Sequence, residues 1–230
     1  MKCVICALVF IFVAQSLLAQ EFKDFGRERL NSSPRHGEWV DIKSGERTIK
    51  AFVVYPERKD KAPAVLVIQE IFGLTDWVRS MCDELAENGV IAIAPDFLNG
   101  QKFEDADGAR KAMMAVTQAQ VETVLDAMNS KLKAAYSFYG APPELPEQVA
   151  NISCPVYGFY GENDERVNAD IPKAEELMKV AGKKYEPVIY KGAGHGFMRS
   201  GEPSNPNFRE GDKKARDEAW ARWKKLLTEL

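Results

Sequence analysis

From Ala62 onward the chain alternates between two apolar patterns. Uninterrupted runs occur at "APAVLVIQE" (62–70), "VIAIAPD" (90–96), "LKAAYSFYG" (132–140), "CPVYGFYG" (154–161) and "YEPVIYKG" (185–192). Short continuous runs of this kind predict strands buried on both faces of a sheet. Between them the apolar residues recur every three or four positions. Thr75 and Asp76 open a helix with the stripe Val78, Met81, Cys82, Leu85 and Ala86, which Gly89 closes. A second, longer helix places Val121, Val124, Leu125 and Met128 on one face. A third runs from Pro172 to Val180 and stops at Gly182, and the last buries Trp220, Trp223, Leu227 and Leu230. Ahead of this series, "GEWVDI" (37–42) and "TIKAFVVYP" (48–56) read as antiparallel edge strands joined through Ser44 and Gly45. Strands alternating with helices predict an α/β protein with a mostly parallel sheet flanked by helices. In such sheets the chemistry gathers in loops at the carboxyl ends of the strands.

The first twenty residues follow neither pattern. Lys2 precedes an apolar run from Val4 to Phe12, continued by Val13, Ala14, Leu17, Leu18 and Ala19. That is a signal peptide's charged start and short apolar stretch, too short for a stable membrane anchor. Cleavage is expected near Ala19 or Gln20, leaving residues 21–230 as a single exported domain, periplasmic or secreted. Cys3 and Cys6 leave with the leader, and Cys82 and Cys154 are expected as buried free thiols. A net charge of −3 offers no basic patch for nucleic acid.

Three strand-end loops carry candidate chemistry. In "QEIFGL" (69–74), Glu70 ends a buried apolar run, and the Ile71 N–H lies at the strand-to-helix turn. In "GENDERV" (161–167), Asp164 follows a strand directly and stands where a carboxylate could orient an imidazole. In "GAGHGF" (192–197), glycines flank His195 just after the last strand, so its ring can project into a strand-end cleft. The other histidine, His36, precedes the first strand and reads as a surface residue. Two histidines without clustered cysteines give no metal site, and nothing signals a cofactor.

An acid and then a histidine, each after a late strand, is the chain order of α/β hydrolases. With "AFVVYP", "PAVLVIQEIFGL", "VIAIAPDF", "KAAYSFYG", "CPVYGFYGENDERV" and "YEPVIYKGAGHGF", the chain resembles the dienelactone hydrolase family over nearly all of residues 21–230. The resemblance implies a small-molecule carboxylic ester or lactone as substrate and an acyl-enzyme mechanism. It makes His195 the base and Asp164 its partner, and gives the Ile71 N–H a place in the oxyanion hole. It also implies that Glu70 interacts with the nucleophile and that Arg199 binds a substrate carboxylate. A second such arginine, implied soon after the "PD" strand, has no counterpart in "PDFLNGQ".

The nucleophile is missing. The family places a Gly-x-Cys-x-Gly elbow between the long helix and "KAAYSFYG", but here only Asn129 to Lys133 separate them, and neither that motif nor Gly-x-Ser-x-Gly occurs anywhere. The central elbow strand and the helix behind it look deleted, on the order of 30 residues, or one βα repeat. No substitute stands out. Ser137 lies inside a strand that continues through Tyr139 and Gly140 without a sharp turn, Cys154 opens a strand at the end opposite the expected site, and Cys82 faces a core. A hydrolase impaired by this loss is the expected reading, and a non-catalytic exported descendant binding a small acid is the alternative. Each buried backbone group left without a partner costs about 1–3 kcal/mol, against a total stability of about 5–15 kcal/mol. The expectation is therefore an unstable chain or a rearranged sheet, for instance with "KAAYSFYG" slid into the gap.

Overall fold

The structure is a computed structural model that describes residues 25–44, 46–117, 119–121, 124 and 132–229. The expected leader, Gly45, Leu125, Met128 and Leu230 lie outside the described residues. Strands β1 (Gly37–Ser44) and β2 (Arg47–Val54) form the expected antiparallel pair, with Gly37 opposite Val54. Next come β3 (Ala64–Leu66), helix α2 (Asp76–Glu87) and β4 (Ile91–Pro95). Thr75 caps α2, its hydroxyl accepting the Val78 N–H at 3.3 Å, and Gly89 ends it at φ 82°. The expected stripe of α2 is its buried face. After α3 (Ala106–Met114) come β5 (Ala135–Phe138), α4 (Pro146–Ala150), β6 (Val156–Gly161) and α5 (Glu165–Asn168). Then follow α6 (Ile171–Val180), β7 (Tyr185–Tyr190), α7 (Phe197–Ser200) and α8 (Glu210–Thr228).

The sheet is divided. Four strands pair in the order β1-β2-β4-β3 and three in the order β5-β6-β7. Antiparallel pairing is confined to β1 with β2 and β2 with β4; β3 with β4, β5 with β6 and β6 with β7 are parallel. Among the described residues no ladder joins β3 to β5. The break falls where the sequence lacks its central strand, and β5 has not slid across to close it. Both flanking strands fall short of expectation. The run at 62–70 gives only three strand residues, Ala64 is exposed, and Ile68 is 55% exposed. The run at 132–140 gives four, all half-buried. A parallel strand is buried on both faces only when neighbours and covering helices exist on each side. Here, among the described residues, each has a partner on one edge alone.

One core nevertheless spans both sheets, with Phe52, Trp77, Val78, Leu85 and Ala92 in the same cluster as Phe159, Tyr190, Phe197, Trp220 and Trp223. Short helix α1 (Arg27–Ser32) buries no residue of its own. Leu30, half-buried, packs against the core, and ions hold the helix to α2: Arg27 Nε donates to Asp76 at 2.8 Å, and Arg29 Nε donates to Asp83 at 3.0 Å. Arg35, just beyond α1, adds two more donors to Asp83 at 2.8 and 2.7 Å. Lys102 and Arg79 also donate to Asp76. Burial opposes the charge on Asp76, but hydrogen bonds from Arg27, Lys102 and Arg79 outweigh it and hold the carboxyl down to about 2.

A carboxylate with a depressed pKa contributes stability that is full above its unfolded value, near 4, and is lost as pH falls through about 2. Asp76→Asn is therefore expected to cost about 2 kcal/mol at pH 7, read from urea denaturation, with the difference shrinking below about pH 4. A loss that stays constant down to pH 2 would assign Asp76 a role independent of its charge.

Candidate active site

The carboxyl ends of β6 and β7 are knitted together by their own backbones. Glu162 N–H donates to Tyr190 O at 3.0 Å and Asn163 N–H to Ala193 O at 2.8 Å. Gly161 permits that approach, because a Cβ there would lie 2.6 Å from the Gly194 carbonyl oxygen. Gly196, left-handed at φ 72°, then turns the chain into α7. The two loops bring Asp164 and His195 together as expected: Asp164 Oδ2 lies 2.6 Å from His195 Nδ1. Asp164 is 6% exposed, whereas the His195 side chain is 52% exposed, so a shielded carboxylate faces one ring nitrogen while the rest of the ring is open to solvent. With Nδ1 carrying the hydrogen toward Asp164, Nε2 keeps its lone pair, an arrangement chemically able to accept a proton.

Gly161→Ala tests this construction. The added methyl must push the two loops apart, which is expected to cost about 2 kcal/mol and to lengthen the Asp164–His195 hydrogen bond. Loss of the downfield Nδ1 proton resonance would show it, and an unchanged resonance would contradict it.

Glu70 and Arg199 reach the same region and pair with each other. The Tyr139 hydroxyl donates to Glu70 Oε1 at 3.0 Å, and Arg199 Nε donates to Glu70 Oε2 at 3.1 Å. The carboxylate that the family resemblance sets beside a nucleophile accepts from a phenol and a guanidinium in this structure. The arginine expected to hold a substrate carboxylate is paired with Glu70 and lies 5.2 Å from the Phe72 ring centre. The physical reason is proximity across the divided sheet: Glu70 follows β3 and Tyr139 follows β5, so their hydrogen bond crosses the break.

Sequence reasoning missed Tyr139. Its ring packs edge-on against His195 with centroids 5.2 Å apart, and its backbone is left-handed at φ 43°. That corrects the expectation of a strand running on smoothly, since β5 ends at Phe138 and turns sharply at Tyr139. Burial first, and then the adjacent Glu70 charge and hydrogen bond, push the phenol well above its ordinary pKa, so Tyr139 stays neutral and donates. The signal available was a tyrosine-glycine pair ending a strand, which is too common to single out.

Ile71 lies in the expected turn, closed by Gly73 N–H donating to Glu70 O at 3.1 Å. Among the described residues its own N–H has no hydrogen-bond acceptor. Ser137 sits inside β5 opposite Gly158. Cys82 is fully buried, and burial pushes its thiol up to about 12. Cys154 is half-buried rather than buried, because it precedes β6 at the sheet's rim, and burial raises its thiol too. Both cysteines are free, and neither has the lowered pKa of a reactive thiol. His36 is exposed, stacked on Tyr55. The described residues contain no group of three or more His, Cys, Asp or Glu side chains arranged to hold a metal ion, and no helix among them is long and apolar enough to cross a membrane.

Comparison with known proteins extends this picture. The chain is 27% identical to an Escherichia coli K12 protein named "Putative carboxymethylenebutenolidase", over 72% of this chain and 79% of that protein. Its Yersinia pestis namesake is 28% identical over 77% and 85%. A Klebsiella pneumoniae structure named a "Putative Dienelactone Hydrolase" superposes with TM-score 0.74 at 22% identity, covering 85% of this chain and 99% of that one. The Yersinia alignment runs over 232 positions, more than the 230 residues of this chain, yet uses 77% of it, about 177 residues; about 55 positions thus have no residue here. For the E. coli protein, 72% of 230 is about 166 residues against 214 positions, a shortfall of about 48. The model of the Dienelactone hydrolase family matches in two pieces, residues 49–133 and 124–230, which meet at the suspected deletion. On that match, spanning most of its length, the chain belongs to the dienelactone hydrolase family.

Proposed function

We propose that the site is the base half of an acyl-enzyme hydrolase for carboxylic esters or lactones, and that the chain as written is impaired because its nucleophile is absent. The observation carrying this reading is the Asp164–His195 pair at the carboxyl ends of β6 and β7, at 2.6 Å. In the complete enzyme, His195 takes the proton from a Ser or Cys as that group attacks the ester carbonyl, then returns it to the departing alcohol. The Ile71 N–H, without an acceptor among the described residues, supplies one donor to the developing oxyanion. Export after cleavage near Ala19 or Gln20 belongs to the same proposal. Small-acid binding without catalysis gains no support from Arg199, whose guanidinium is engaged by Glu70.

The test is a chimera in which the residues of the E. coli relative that have no counterpart here are inserted between Asn129 and Lys133. Hydrolysis of p-nitrophenyl acetate by the chimera, and loss of it when the inserted nucleophile becomes alanine, is the expected result. A folded chimera with no turnover of esters or lactones would refute the proposal.

A further inference from the structure

We propose that the slot between β3 and β5 is a strand acceptor, and that its occupant is a βα segment of the kind the relatives carry, able to dock as a separate polypeptide.

Three observations point to a slot rather than a healed scar. The edges of β3 and β5 that face the break have no ladder partner among the described residues. The two strands run in the same sense, since Glu70 after β3 meets Tyr139 after β5. One parallel strand could therefore pair with both at once, as an added strand does at an exposed sheet edge. Next to this edge, Gln69 is only 5% exposed, yet neither its Nε2 nor its Oε1 has a hydrogen-bond partner. A buried amide is rarely left unpaired, so a group normally stands opposite it. Finally, Ala64 and Ile68 are exposed on an uncharged, β-branched run, the surface a covering helix would bury.

The halves are already assembled around the slot. They share one core, and Glu70, Tyr139 and Arg199 fasten their carboxyl ends. An incoming segment therefore does not have to order the acceptor as well as itself, which favours association. Its identity follows from the two-piece family match and from the roughly 50 aligned positions without a residue here. Once docked, its strand-to-helix turn falls at the strand ends beside His195. The catalytic consequence rests on the hydrolase reading; the docking does not.

The probe is the stretch of the E. coli relative used in the chimera, made as a free polypeptide with a solubility tag and mixed with the full chain. Saturable 1:1 binding by calorimetry is expected, with at least tenfold slower hydrogen exchange at those amides of 64–68 and of 135–138 that face the break rather than β4 or β6. Ester turnover is expected to appear with it and to vanish in His195→Ala. Protection at both edges without turnover would uphold the acceptor and count against the hydrolase reading. An active chimera with no protection by the free segment would uphold the hydrolase reading and overturn the acceptor. Protection at one edge only, equal protection by a scrambled segment, or edges already protected in the chain alone would also overturn it.

Discussion

In the chimera, His195→Ala is expected to lower kcat/KM for p-nitrophenyl acetate by about 10⁶, close to the loss from removing the inserted nucleophile itself. Nucleophile and base act as one unit, so the double variant should be no worse than either single one. The same substitution in the chain as written should leave its residual rate within a few-fold of the original, because a base without a nucleophile has little to activate. Asp164→Asn should cost the chimera somewhat less, about 10⁴, by releasing the imidazole from its productive tautomer. A His195→Ala chimera that keeps most of its activity would remove His195 from the mechanism, whatever its distance from Asp164.

Arg216→Met is expected to be the most destabilising single change outside the apolar core. Its side chain is 8% exposed on α8 and donates to Glu84 on α2 at 2.6 Å, to Glu202, and to the Met198 carbonyl at 3.2 Å. It thereby fastens the helix covering the β5-β6-β7 sheet to the helix covering the other, where among the described residues no backbone ladder does so. Removing one member of a buried ion group leaves its partners uncompensated, at a cost of about 3–5 kcal/mol. Burial already pushes the Glu84 carboxyl up, with Arg216 opposing the shift. For an acid with a raised folded pKa the penalty is present when it is ionised and fades as pH falls. The Arg216→Met deficit, read from urea midpoints, should therefore be largest near pH 7 and smaller near pH 5. A deficit below 1 kcal/mol at pH 7, or one growing toward pH 5, would contradict this account.

The sequence showed most where local rules and tertiary structure agree. Helix α2 was legible from its apolar spacing, its Thr75 cap and its Gly89 stop, and β4, β6 and β7 from uninterrupted apolar runs. Asp164 and His195 were legible because position after a strand is itself a sequence property. Helix α1 was not, because charges and the single half-buried Leu30, rather than an apolar stripe, hold it. The lengths of β3 and β5 were misjudged, since a strand's extent depends on neighbours that local composition does not record. The contacts of Glu70 with Tyr139 and Arg199 join residues 69 and 129 positions apart. Their geometry depends on how the two sheets meet over the break.

The most direct test of the central claim is an acylation experiment on the chain as written. The purified protein is mixed with excess p-nitrophenyl acetate, the first turnover is followed for a burst, and its intact mass is then recorded after quenching. No burst and no acetyl adduct are expected, because none of Ser137, Cys82 and Cys154 stands as an activated nucleophile. A burst of one equivalent, with an adduct on a single residue that is lost in His195→Ala, would mean that this chain holds a working nucleophile and that the account is wrong.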